Sequence, residues 1–87
     1  MHNNIKYYIC PVCGYDKLDE PPYDEHGCSS FDICPCCGVE FGYDDFATPH
    51  SVLRDKWVEN GMIWWSPNTP PPAQWDAETQ LASISGQ

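Results

Sequence analysis

Two short stretches of this chain are near-copies of each other, Ile9-Cys10-Pro11-Val12-Cys13-Gly14 and Ile33-Cys34-Pro35-Cys36-Cys37-Gly38. They constrain the fold more than any other feature. Each places two cysteines on one tight turn, and twenty residues lie between Cys13 and Cys34. A tetrahedral ion takes four such sulfurs, two from each turn, so the spacing points to zinc or iron. Each residue type has a geometric reason. Pro11 and Pro35 fix φ directly after the first cysteine, and Gly14 and Gly38 can take the positive φ with which the chain doubles back. Backbone N–H groups in such turns point at the sulfurs and offset thiolate charge. The expected metal ligands are Cys10, Cys13, Cys34 and Cys37. The competing reading is a pair of disulfides, or two unrelated thiol turns.

A chain of 87 residues makes one domain with appendages. It buries little apolar surface for its length, so a metal staple is physically useful. Four basic residues stand against thirteen acidic ones, a formal charge of −9. Four thiolates on a divalent ion add −4 + 2 = −2, taking the metallated chain to about −11. Phosphate binding relies on Lys and Arg releasing counterions, so neither nucleic acid nor an anionic membrane surface is an expected partner. The chain has no apolar run of membrane-spanning length, and Met1-His2-Asn3-Asn4 lacks a signal-peptide core. The expected location is the reducing cytoplasm, where cysteine pairs read as metal ligands.

Residues 5–9 are β-prone and lead into the first cysteine turn, and Tyr15 opens the return. Residues 16–30, with Pro21-Pro22, Gly27 and paired serines, read as an irregular loop. Residues 31–33 and 39–43 read as short strands entering and leaving the second turn. Together, residues 5–46 look like a zinc ribbon, two hairpin-like turns clamped on one ion. The remainder, 47–84, reads as a helical and proline-rich extension. Thr48-Pro49 supplies an N-cap and a first-turn proline, and Asn60-Gly61 a stop, predicting a helix over about 49–59. Leu53, Trp57 and Val58 form its inner face, and Arg54, Asp55, Lys56 and Glu59 its outer one. Of the adjacent Trp64 and Trp65, one is expected inside and the other exposed. Residues 66–72 read as a stiff polyproline linker. Asp76 caps a last helix over about 77–84, with Ala77, Leu81 and Ile84 on one face and a fraying tail beyond. The predicted fold is small α+β, a rubredoxin-like ribbon of short antiparallel strands with one or two short C-terminal helices packed on it, forming a single domain over 1–87.

Two families share these residues. Most of the chain resembles the bacterial cysteine-rich family named for its Cys-Pro-Cys-Cys motif. The likeness runs through Cys10-Pro11-Val12-Cys13-Gly14-Tyr15, Leu18-Asp19-Glu20-Pro21-Pro22, Phe31-Asp32-Ile33-Cys34-Pro35-Cys36-Cys37-Gly38, Trp64-Trp65-Ser66-Pro67 and Trp75-Asp76. The resemblance implies a cytoplasmic metal-binding domain, and some small acidic proteins of this sort sit beside toxins as immunity proteins. The two cysteine turns, with Tyr8 and Tyr15, also resemble rubredoxin, which implies a one-iron electron carrier. Rubredoxin has a longer gap between its turns and no counterpart to the C-terminal extension.

The remaining polar groups are expected to be bland. Cys28 and Cys36 are surplus to a four-ligand site, and Cys36 reads as a tolerated small residue or as a low-pKa thiol beside the metal. His26 and Cys28 are half of a second metal site without the other half. His50 has no visible partner for general-base work, and Glu40, Asp44 and Asp45 read as a solvated acidic surface. No Ser-His-Asp set, phosphate loop or His-Glu-x-x-His pattern is present, so no enzyme is expected. The expected function is that of a cytoplasmic protein with a structural four-cysteine zinc site, acting through a protein partner, of which an antitoxin-like pairing is one version. The alternatives are a rubredoxin-like iron carrier and a thiol-redox or metal-buffering role for Cys28 and Cys36.

Overall fold

The computed structural model describes residues 6–85. Its frame is two cysteine turns built on one hydrogen-bond plan. In the first, Cys10 N donates to Tyr15 O at 2.8 Å and Gly14 N to Cys10 O at 2.9 Å. In the second, Cys34 N donates to Val39 O at 3.0 Å and Gly38 N to Cys34 O at 2.8 Å. Both glycines take the positive φ this requires, +89° at Gly14 and +80° at Gly38. We call these turns the first and second knuckle.

The expected strands shrink to single antiparallel bridges, Tyr8 with Leu18 and Ile33 with Glu40. Ile5 and the tail after residue 85 lie outside the described residues. A ladder needs several consecutive paired residues, and here each knuckle is followed within a few residues by another turn. The stretch 16–30 is more ordered than its composition suggests. A third bridge pairs Tyr23 with Ser29, and Asp24 Oδ1 accepts from His26 N at 2.8 Å and Cys28 N at 2.9 Å, drawing the segment into a tight turn.

Helix α1 spans His50–Glu59. Its N-cap is Pro49, with no side-chain cap, so Thr48 does not play the role its position suggested. Its C-terminus ends as expected. Gly61 N donates to Val58 O at 3.0 Å and Met62 N to Trp57 O at 2.9 Å, a Schellman closure with Gly61 at φ +98°. Trp57 is buried and Leu53 packs on the core, whereas Val58 turns outward at 40% exposure. Helix α2 spans Ala77–Ser85. Asp76 caps it, accepting from Glu78 N at 3.2 Å and Thr79 Oγ1 at 2.6 Å. Ala77 and Leu81 face the core, and Ile84 is half-buried.

The core is unusual in its chemistry. Its buried residues are Cys10, Val12, Cys13, Tyr15, Leu18, Cys34, Cys36, Val39, Phe41 and Trp57, so sulfur occupies much of the centre that aliphatic side chains would normally fill. The extension wraps this centre with aromatic rings. Trp64 stands edge-on to Tyr15 at 5.5 Å and to Trp75 at 5.2 Å between centroids. The proline-rich segment is tied down: Trp64 Nε1 donates to Thr69 O at 2.6 Å, and Ser66 Oγ accepts from Asn68 N and Thr69 N. Trp65 stays 53% exposed while Trp64 is partly buried against the core, so the tandem tryptophans divide between an outer ring and a half-buried one. No helix among the described residues is long and apolar enough to cross a membrane.

Candidate metal centre

The knuckles face each other and bring four sulfurs together. The Sγ atoms of Cys10, Cys13, Cys34 and Cys37 all lie within 4.8 Å of one another. Two cross-knuckle edges are shorter, Cys13 to Cys34 at 3.7 Å and Cys10 to Cys37 at 3.8 Å. A tetrahedral ion with metal–sulfur bonds of about 2.3 Å requires sulfur–sulfur edges of about 3.8 Å. Sulfurs joined in disulfides would stand at about 2.05 Å, and none of these cysteines is so joined. The set could therefore hold a metal ion, and its soft donors suit zinc or iron.

Electrostatics favour the same conclusion. Hydrogen bonding from Cys13, and then from Cys34 and Cys37, pulls the Cys10 thiol far below its ordinary pKa. Hydrogen bonding with that same Cys10 pushes Cys13 and Cys37 far above theirs, with burial adding to the effect. Close, buried sulfurs of this kind oppose one another's ionisation. Four thiolates at this separation need a cation between them. Val12 N, 3.4 Å from Cys10 Sγ, is a backbone donor of the kind that offsets thiolate charge.

Two side chains from the extension complete the first knuckle. Arg54 Nε donates to Val12 O at 2.9 Å and its Nη2 to Pro11 O at 2.7 Å. Gln80 Nε2 donates to Cys13 O at 3.0 Å. Three successive knuckle carbonyls therefore take donors from residues far along the chain. The second knuckle is met by backbone instead, with Trp65 N donating to Cys36 O at 3.0 Å and Ser66 N to Pro35 O at 2.9 Å. Arg54, expected on the solvent face of α1, is turned inward by these acceptors.

The surplus groups separate into two kinds. Cys28 is exposed, and His26, two residues before it, lies 3.5 Å from Glu25. Cys36 is fully buried and lies 3.2 Å from Gln80 Nε2. Hydrogen bonding with Cys13 lowers its pKa, against the opposing effect of burial, and Gln80 lowers it further.

Within the acidic run, Asp45 does not belong to a solvated surface. The Asp45 side chain is 1% exposed. It accepts from Tyr23 OH at 2.5 Å and Gly42 N at 2.7 Å, and His50 Nε2 lies 2.7 Å from its Oδ2. Asp44 Oδ2 caps Glu40 N at 2.8 Å. His50 thus has a partner, and the pair joins the loop at 23, the turn at 40–45 and the start of α1. Burial alone would raise the Asp45 pKa, but the bonds from Tyr23, His50 and Gly42 outweigh it and hold the carboxyl below the usual range. Burial, then the bond to Asp45, raises Tyr23.

Two curated relatives match this chain over most of its length. The chain is 37% identical to uncharacterized protein YoaQ of Bacillus subtilis (strain 168), over 76% of this chain and 70% of YoaQ. It is 35% identical to uncharacterized protein YozI of the same organism, over 76% of this chain and 69% of YozI. The chain belongs to the YoaQ and YozI family. No family model matches it, and no solved structure does. In this member of the YoaQ and YozI family, the four-cysteine cluster is the feature with a definite chemical meaning.

Proposed function

We propose that this protein is a zinc-ribbon protein of rubredoxin-like architecture, whose Cys10, Cys13, Cys34 and Cys37 hold a structural zinc ion and whose work is done on its surface with a protein partner. The observation that carries the metal part of this reading is the pair of near-tetrahedral edge lengths, 3.7 and 3.8 Å, between knuckles. Four protein sulfurs fill the coordination sphere and leave no position for water or substrate. When bound, zinc would offset half of the thiolates' charge and lock the two knuckles together. Everything else is done by the chain: Arg54 and Gln80 fix the first knuckle's carbonyls, and Trp65 and Ser66 fix the second's. Membership of the Cys-Pro-Cys-Cys family is part of the same proposal and rests on Cys34-Pro35-Cys36-Cys37 with the flanking likeness.

Elemental analysis and chelation test the structural role together. One zinc per chain is expected, and stripping it should abolish the cooperative melt, because such sites supply about 10–16 kcal/mol. A protein that kept its melting curve after losing the ion would refute a structural role.

One observation favours the second reading, iron and electron transfer. Cys37 is only half-buried and lines a groove of about 400 Å³ with Gly38, Leu53 and Trp57, so one ligand residue approaches the surface. Reversible one-electron reduction of iron-reconstituted protein is the test, and a redox-silent iron form would reject it.

A further inference from the structure

A groove of about 420 Å³ runs between the segment leaving the first knuckle and the segment entering the second. Its apolar wall includes Ile33 and Trp65, 44% and 53% exposed. Three carboxylates share the lining, Asp19, Glu20 and Asp32, all on exposed residues, with Lys17 beside them and the hydroxyl-bearing Ser66 and Thr69 also present. The indole of Trp65 is seated against the second knuckle. Its pyrrole edge lies against Gly38, so close that a Cβ on that glycine would come within 2.5 Å of Cδ1, and its backbone N–H is bonded to Cys36 O. An exposed indole attracts a cation through its ring face, and the carboxylates attract the same cation through charge-assisted hydrogen bonds. Two unlike features of one concave surface thus select for a single ligand chemistry, on a chain whose charge of −9 repels anions.

We propose that this groove binds an arginine- or lysine-bearing segment of a protein partner, with its cation over Trp65 and between Asp19, Glu20 and Asp32. This rests on the protein-partner reading above and adds the place and the partner's chemistry. Exposed apolar surface at Ile33 would take an aliphatic residue beside the cation, so the fitting segment is basic and apolar by turns rather than uniformly charged.

The test uses the metallated full chain and a capped, tryptophan-free peptide in which two arginines flank a leucine, followed by tryptophan fluorescence and calorimetry. Replacing both arginines with citrulline, which keeps the shape and removes the charge, should abolish measurable binding. The triple variant Asp19→Asn, Glu20→Gln, Asp32→Asn should weaken binding about tenfold, the combined effect of three exposed charge pairs. An equal change of charge elsewhere, Asp55→Asn, Glu59→Gln, Glu78→Gln, should cost less than about twofold through screened long-range attraction. Trp65→Phe keeps an aromatic ring on Gly38 and should weaken binding about threefold. Absence of peptide binding, equal losses in the two triple variants, or an indifferent Trp65→Phe would each overturn the groove. The parent reading fails differently, since a chain that cross-links to no protein in the cells that make it has no partner for any surface.

Discussion

Gly14 is seated against the backbone of α2: a Cβ built on it would lie 2.6 Å from the carbonyl oxygen of Gln80. The same position needs φ +89°, where L residues are strained. The glycine of the first knuckle therefore serves the turn and the docking of the last helix at once. Gly38 has the same double duty, with the Trp65 ring in place of the helix.

Gly14→Ala should cost more stability than Gly38→Ala. Both carry backbone strain of about 1–3 kcal/mol. At Gly14 the overlap is with a helix backbone, which moves only as a unit, whereas at Gly38 it is with a half-exposed side chain that can swing away. Thermal melts of the two metallated variants should rank them in that order. Gly38→Ala should also change Trp65 accessibility to a collisional quencher, and Gly14→Ala should not.

Arg54→Lys should destabilise the protein by about 1 kcal/mol despite keeping the charge, because an ammonium cannot reproduce the fork that serves Pro11 O and Val12 O together. Gln80→Leu removes the donor to Cys13 O and should cost about 1–3 kcal/mol by leaving that acceptor unpaired. Denaturant melts measure both. Competition with a chromophoric chelator should show faster metal release in the Gln80 variant, since its target is the carbonyl of a ligand residue.

Asp45→Asn should destabilise in a pH-dependent way. The Asp45 carboxyl is held below its ordinary range, so it contributes stability above the unfolded carboxylate pKa and loses it as pH falls through the lowered value. The gap in stability between the parent and Asp45→Asn should accordingly be widest at neutral pH and narrow on acidification. A gap that is constant with pH would point to shape rather than charge. The comparison is best made with both proteins fully metallated, because thiolate protonation also releases the ion at low pH.

Cys37→Ser should remove the tight metal site, whereas Cys28→Ser should stay within about 0.5 kcal/mol of the parent because the residue is exposed. Cys36→Ala is the discriminating case. It lies beside the cage without belonging to the four-sulfur set, so metal stoichiometry should stay at one while melting falls through a small buried void. Native mass spectrometry reads the first and calorimetry the second.

What was legible beforehand came from local chemistry. Spacing alone brought out Cys10, Cys13, Cys34 and Cys37, whose side chains the structure gathers. Asn60-Gly61 and Asp76 marked helix ends because caps act within a few residues. Regular strands did not materialise around Ile33 or Tyr8, since bridging stops after one pair on either side of each knuckle. The roles of Arg54 and Gln80 left no trace in the pattern. Their acceptors are backbone carbonyls 42 to 67 residues away, and carbonyls have no sequence signature. Asp45 misled for a related reason: adjacent acids usually face water, and only the folded loop shows that Tyr23 and His50 close over this one.

The three bonded carbonyls at Pro11, Val12 and Cys13 bear on how such a chain can evolve. A module that recombines between genes must survive excision, and one whose innermost loop borrows donors from both later helices has no clean place to be cut. Lineages carrying this arrangement should inherit the cysteine-bearing half and the tryptophan-bearing half together, drifting as a matched pair rather than trading pieces.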